Sequence, residues 1–97
     1  MGNQFENVWD ALCSTPAEVA EMTARSVLLR GIADHIRGWN VSTRLASRRL
    51  GLPIPAVTAI SAGKINEFSL LDLFHIAGYA GLEIHISLTD REAAQKS

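Results

Sequence analysis

Apolar positions recur at helical spacing along most of the chain and change to strict alternation near its end. Phe5, Val8, Trp9 and Leu12 are three and four residues apart, which predicts a short amphipathic leader within residues 1–14 that needs a surface to lie on. A strong helix start follows. Thr15 stands as N-cap, Pro16 occupies the first helical position, and Glu18 sits where a capping box wants an acid. From there Val19, Met22, Val27, Leu29, Ile32, Ala33 and Ile36 supply the apolar positions of a long helix ending around Trp39 and Asn40. Its acids, Glu18 and Glu21, come early and Arg37 comes late, as the helix dipole favours. Gly31 lowers helix propensity locally by about 1 kcal/mol, which points to a bend or a close contact there.

Between Val41 and Lys64 the pattern resolves into two short helices joined by a tight turn. Ser42 caps the first, which carries Leu45, Ala46 and Leu50 inward and stops at Gly51, a residue suited to positive φ. The second begins near Pro53 to Pro55, buries Val57 and Ile60, and ends at Gly63. Leu52 plugs the turn, and the small Ala46 faces the point where the two helices cross closely. This is the layout of a helix-turn-helix DNA reader.

Residues 65–68 read as a loop. Ser69 caps a further helix carrying Leu70, Leu71, Leu73, Phe74, Ile76 and Ala77, which Gly78 and Gly81 close. Leu82, Ile84, Ile86 and Leu88 then alternate with Glu83, His85 and Ser87, a period of two that predicts a strand. A lone strand leaves its backbone donors and acceptors unpaired, so pairing with the same strand of a second copy across a two-fold axis is the favoured remedy. Two others stay open: addition to the sheet of a different protein, or pairing with the leader in extended form. The expected architecture is mainly α, a bundle of four to five helices with one C-terminal β-strand paired across a homodimer. Its parts are a leader at 1–14, a helical domain at 15–81 with the DNA-binding unit at 42–64, a dimerisation strand at 82–88 and a polar, frayed tail at 89–97.

Charge changes the picture more than composition does. The 97 residues suffice for one domain with a modest core. From His35 to Asn66 the bases are Arg37, Arg44, Arg48, Arg49 and Lys64, with no acid, so this window carries +5. The other four bases and ten acids leave the remainder at −6, and the formal total of −1 conceals this dipole. A basic block inside an acidic chain points to one face for nucleic acid and another for something else.

Other chemistry is thinly represented. The chain has no apolar run long enough to span a bilayer and begins without signal-peptide character, so a cytoplasmic protein is expected. Cys13 is the one cysteine and is expected to be reduced. His35, His75 and His85 lie on three different elements without metal-ligand spacing; His75 is expected partly buried and His85 facing solvent. Ser14, Ser42 and Ser69 read as caps, and Gly63-Lys64 lacks the rest of a phosphate loop. Glu67 and Asp72 sit where a helix start attracts acids. No catalytic residue, metal site or cofactor is expected, and the chain does not read as an enzyme.

The order of elements, with the runs Ala46 to Gly51, Val57 to Lys64, and Phe68-Ser69-Leu70 followed by Leu73, resembles the xenobiotic-response-element (Cro/repressor-like) family of helix-turn-helix regulators. The likeness covers roughly Asn7 to Leu88 and is to the compact branch that includes antitoxins of toxin–antitoxin pairs. It implies that Ser42, Thr43 and Arg44 hold the DNA backbone; Arg48 and Lys64 of the basic window complete the expected DNA-binding set. It further implies that Ile54, Ala56, Thr58, Ala59, Ser61 and Ala62 face the major groove of operator DNA. Relatives usually offer glutamine, arginine, serine or asparagine there, side chains that pair with base edges. Here Thr58 and Ser61 are the polar candidates, so specificity leans on thymine methyls, DNA shape and half-site spacing. The implied role is a dimeric regulator that represses its own operon as an antitoxin. The alternative is an interaction module that neutralises a basic toxin partner, with weak or lost DNA binding.

Overall fold

The computed structural model describes residue 12 and residues 15–90. Four α-helices and one 3₁₀ turn follow one another among these residues: α1, Pro16–Trp39; α2, Thr43–Leu50; α3, Ile54–Ser61; the turn, Ile65–Glu67; and α4, Leu70–Tyr79. Thr15 caps α1, its Oγ1 accepting from the Glu18 amide at 3.1 Å, with Pro16 in the first turn. The helix is continuous through Gly31, and an added Cβ at that glycine would meet nothing within 4 Å. The close contact that is one expectation for this position is therefore not found. Asn40 ends α1 in the left-handed conformation (φ 55°) and turns the chain into α2 within three residues. Asparagine tolerates this region better than most residues with a Cβ.

Leu29, Ile32 and Ile36 recur at three- and four-residue spacing on α1 and form the floor of the core. Ala46 and Leu50 of α2, Val57, Ala59 and Ile60 of α3, Phe68, and Leu73, Ile76 and Ala77 of α4 close over them. No polar or charged residue is buried among the described residues. Burying side chains such as Ile32, Ile60 and Leu73, each about 1% exposed or less, contributes about 1.5–3 kcal/mol apiece.

Several sequence expectations change on this core. Val27 is 67% exposed, because the buried stripe of α1 runs through Leu29 and Ile32 instead. Leu45 is 39% exposed: with Ala46 and Leu50 four apart and facing in, its side chain is turned about 100° away. Residues 65–67 form a 3₁₀ turn rather than an irregular loop and deliver Phe68 into the core. His75 is exposed on α4. Of the apolar leader positions, Leu12 is exposed and the others lie outside the described residues, as do Cys13 and the tail beyond Asp90.

Residues 82–90 carry no regular secondary structure in the single chain, so the expected strand is not found there. A strand is defined by its ladder, and among the described residues no second extended segment pairs with this one. Gly81 (φ 81°) lets the chain leave α4 with the Leu82 amide bonded back to the Ala77 carbonyl at 2.9 Å. On the other side of this exit, His35 Nε2 donates to the Ala80 carbonyl at 3.1 Å, tying α1 to the end of α4.

Candidate nucleic-acid interface

The turn between α2 and α3 is fixed from both ends. Gly51 adopts φ 69°, and the amides of Gly51 and Leu52 both reach the Ser47 carbonyl, at 2.9 and 3.1 Å. The Ser47 hydroxyl donates to the Leu52 carbonyl, and Leu52 packs against the core. Pro53 precedes α3 in extended conformation, which pre-sets the entry of the second helix. Ser42 caps α2, accepting from the Leu45 amide at 3.1 Å.

Arg44, Arg48 and Arg49 are exposed on α2, and Lys64 is exposed just beyond α3. Among the described residues no acid pairs with Arg44, Arg48 or Lys64. Arg37 differs: it is 2.6 Å from Asp34, which stands one position outside the acid-free window, so its charge is largely matched. Arg49 lies over the Trp39 ring at 5.1 Å from its centroid, and Trp39 meets His35 edge-on at 5.7 Å. This cation–π contact ties the Arg49 guanidinium to the end of α1. It joins residues ten apart in the chain on two helices, and neither position signalled it in advance.

On α3 the exposed positions are Ile54, Pro55, Thr58, Ser61 and Ala62 at its end. They fall at i, i+1, i+4, i+7 and i+8, one continuous face opposite buried Val57 and Ile60. Ala59, expected to face a groove, is instead in the core at 4% exposure, because it shares the inner side with Val57 and Ile60. Ala56 is half-buried at the border. Pro55 joins the outer face in its place; its helical register, rather than its role in starting the helix, is what marks it. The Thr58 hydroxyl donates to the Ile54 carbonyl at 3.2 Å. Thr43 and Ser61 line one cleft of about 250 Å³ between α2, α3 and the end of α1, which joins the start of α2 to the outer face of α3.

Two short helices held at a fixed angle, the second with a clear outer face and the first carrying unpaired arginines, are the geometry of a helix-turn-helix. A family described as a helix-turn-helix domain matches residues 14–89. The chain belongs to the helix-turn-helix domain family. No curated protein and no solved structure matches the chain. The family match extends through residues 82–88, the alternating segment after α4. Membership supports a DNA-binding regulator as the functional class. Among the described residues, no three of histidine, cysteine, aspartate and glutamate converge as a metal site would require, and no helix is long and apolar enough to cross a membrane.

Proposed function

We propose that the chain is a cytoplasmic, dimeric, sequence-specific transcriptional regulator that binds operator DNA through residues 42–64. The observation that carries this reading is a helix-turn-helix whose exposed cations, Arg44 and Arg48 on α2 and Lys64 just beyond α3, have no acidic partner among the described residues. Ser42, Thr43, Arg44, Arg48 and Lys64 hold phosphates; Ile54, Ala56, Thr58 and Ser61 meet the groove, while the buried Ala59 supports α3 from beneath. Two copies pair through Ile84, Ile86 and Leu88; Leu82, expected in the same seam, packs against the core of its own chain and anchors the segment. Supporting this, Ile84, Ile86 and Leu88 are 37%, 72% and 94% exposed in the single chain. The His85 ring nitrogen lies 3.5 Å from the Glu83 carboxylate, which puts side chains two apart on one side, as extended backbone does.

The finer role we propose is that of an antitoxin repressing its own operon. The net −6 outside the basic window suits a basic toxin partner. That acidity also favours the second reading, a module that neutralises such a toxin with little DNA binding.

A fluorescence-anisotropy titration against the chain's own upstream region tests the DNA reading. Arg44→Ala and Arg48→Ala are expected to weaken binding and to lower the salt slope by about one unit for each phosphate left without its cation. Equal affinity for that region and for random duplex would overturn sequence-specific repression. Co-purification with the product of an adjacent short basic reading frame tests the antitoxin role, and its failure leaves the DNA reading standing.

A further inference from the structure

The outer face of α3 lacks the side chains that read base edges by paired hydrogen bonds. Ile54 to Ser61 contain no amide, guanidinium, ammonium or carboxylate side chain. The outward set is Ile54, 44% exposed, with Pro55, Thr58, Ser61 and Ala62. Thr58 looks polar in sequence, yet its hydroxyl is engaged by the Ile54 carbonyl at 3.2 Å, within its own helix. That bond uses the hydroxyl's one proton, so Thr58 has no donor left for a base and brings its γ-methyl to the same face as Ile54, four positions earlier. Three of the five outward side chains are hydrocarbon throughout, and a fourth has its one hydroxyl proton engaged within the helix; Ser61 lies towards the far end, on the cleft with Thr43.

In the major groove the apolar feature of a base pair is the C5-methyl group, present on thymine and on 5-methylcytosine and absent from uracil and cytosine. We propose that this chain reads DNA chiefly through C5-methyl groups, packing them against Ile54, Pro55 and the Thr58 methyl, while the cations of α2 and Lys64 hold phosphates without regard to sequence. This rests on the DNA reading above and names the chemical group recognised. The same surface takes thymine and C5-methylated cytosine alike, so cytosine methylation inside a half-site strengthens binding.

The test uses the full chain and the tightest duplex recovered from a random-sequence pool. That duplex is remade with deoxyuridine for thymidine, and separately with 5-methylcytosine for cytosine at the C·G pairs under α3. Each methyl group removed from beneath α3 is expected to weaken binding about fourfold, the worth of one buried methyl-sized group, with the salt slope unchanged. Ile54→Ser, at an exposed position, is expected to keep the fold in a thermal melt and to reduce the thymine-to-uracil difference to within about twofold. Thr58→Val keeps the methyl and is expected to retain that difference, while Thr58→Ser removes the methyl and shrinks it. Binding that ignores uracil substitution would overturn methyl reading and leave DNA binding intact. A uracil effect that persists unchanged in Ile54→Ser would assign it to duplex shape, overturning the proposal equally. Failure of the pool to enrich any sequence would defeat sequence-specific DNA reading itself.

Discussion

Single residues already separate structural from functional constraint in this chain. Gly31 has no conformational need for glycine, since it lies inside a continuous helix, is exposed, and has open space where a Cβ would stand. Gly31→Ala is therefore expected to stabilise the fold by about 0.5–1 kcal/mol, measured by chemical denaturation, with DNA affinity unchanged. Asp72 works in the opposite sense. Its carboxylate accepts from the Ser69 amide at 3.0 Å while the Ser69 hydroxyl accepts from the Asp72 amide at 3.0 Å. The Ser69 backbone bond first, and its hydroxyl second, hold the Asp72 pKa below the usual aspartate value. A carboxyl with a lowered folded-state pKa adds stability above its unfolded pKa and loses it as pH falls through the folded one. Asp72→Ala is thus expected to melt at lower temperature than the parent at neutral pH. The gap should narrow in melts taken progressively below the ordinary carboxylate range; a gap that stays constant down to strong acid would contradict the assignment.

At the scale of elements, the helix boundaries were legible because they are set locally. Thr15, Ser42 and Ser69 accept the capping bonds their types suggest, and Gly51, Gly63 and Gly81 take the positive φ that ends a helix. Which face each helix turns inward was less legible in α2 and α3, since eight residues give too few repeats for the spacing of Leu45 or Ala59 to decide between in and out. The tertiary neighbours decide instead. Ala46, 2% exposed, sits where α2 meets the rest of the core, so the angle between the two short helices depends on its small size. Ala46→Leu is expected to cost about 1–3 kcal/mol by overpacking and to weaken DNA binding beyond what the stability loss explains. Denaturation and anisotropy on the same sample, at a temperature where the variant is folded, separate the two effects. The basic window was also only partly legible: Arg37 is matched by Asp34 across one helical turn, and Arg49 is held by Trp39, both outcomes of side-chain geometry.

For the whole molecule, the proposed pairing links the C-terminal segment to the reading helices. A single helix-turn-helix covers one half-site, and the second copy raises affinity through effective concentration rather than new base contacts. Ile84→Glu with Ile86→Glu is expected to yield a folded monomer by sedimentation, because both positions are exposed in the single chain. Its affinity for a two-half-site duplex is expected to fall by about a hundredfold or more, while affinity for an isolated half-site changes little. A double variant that remains dimeric would move the interface elsewhere on the surface.

The bond from the Leu82 amide to the Ala77 carbonyl, together with the His35 hydrogen bond at Ala80, sets the bearing on which the chain departs from α4. Under the proposed pairing that bearing acts as a protractor: it fixes the rotation between two reading helices that never touch. Loosening the joint, for instance with His35→Ala, would blunt the protein's preference between operators differing by one base pair in their central spacer. A regulator of this design would thus keep its vocabulary of bases and lose its sense of punctuation.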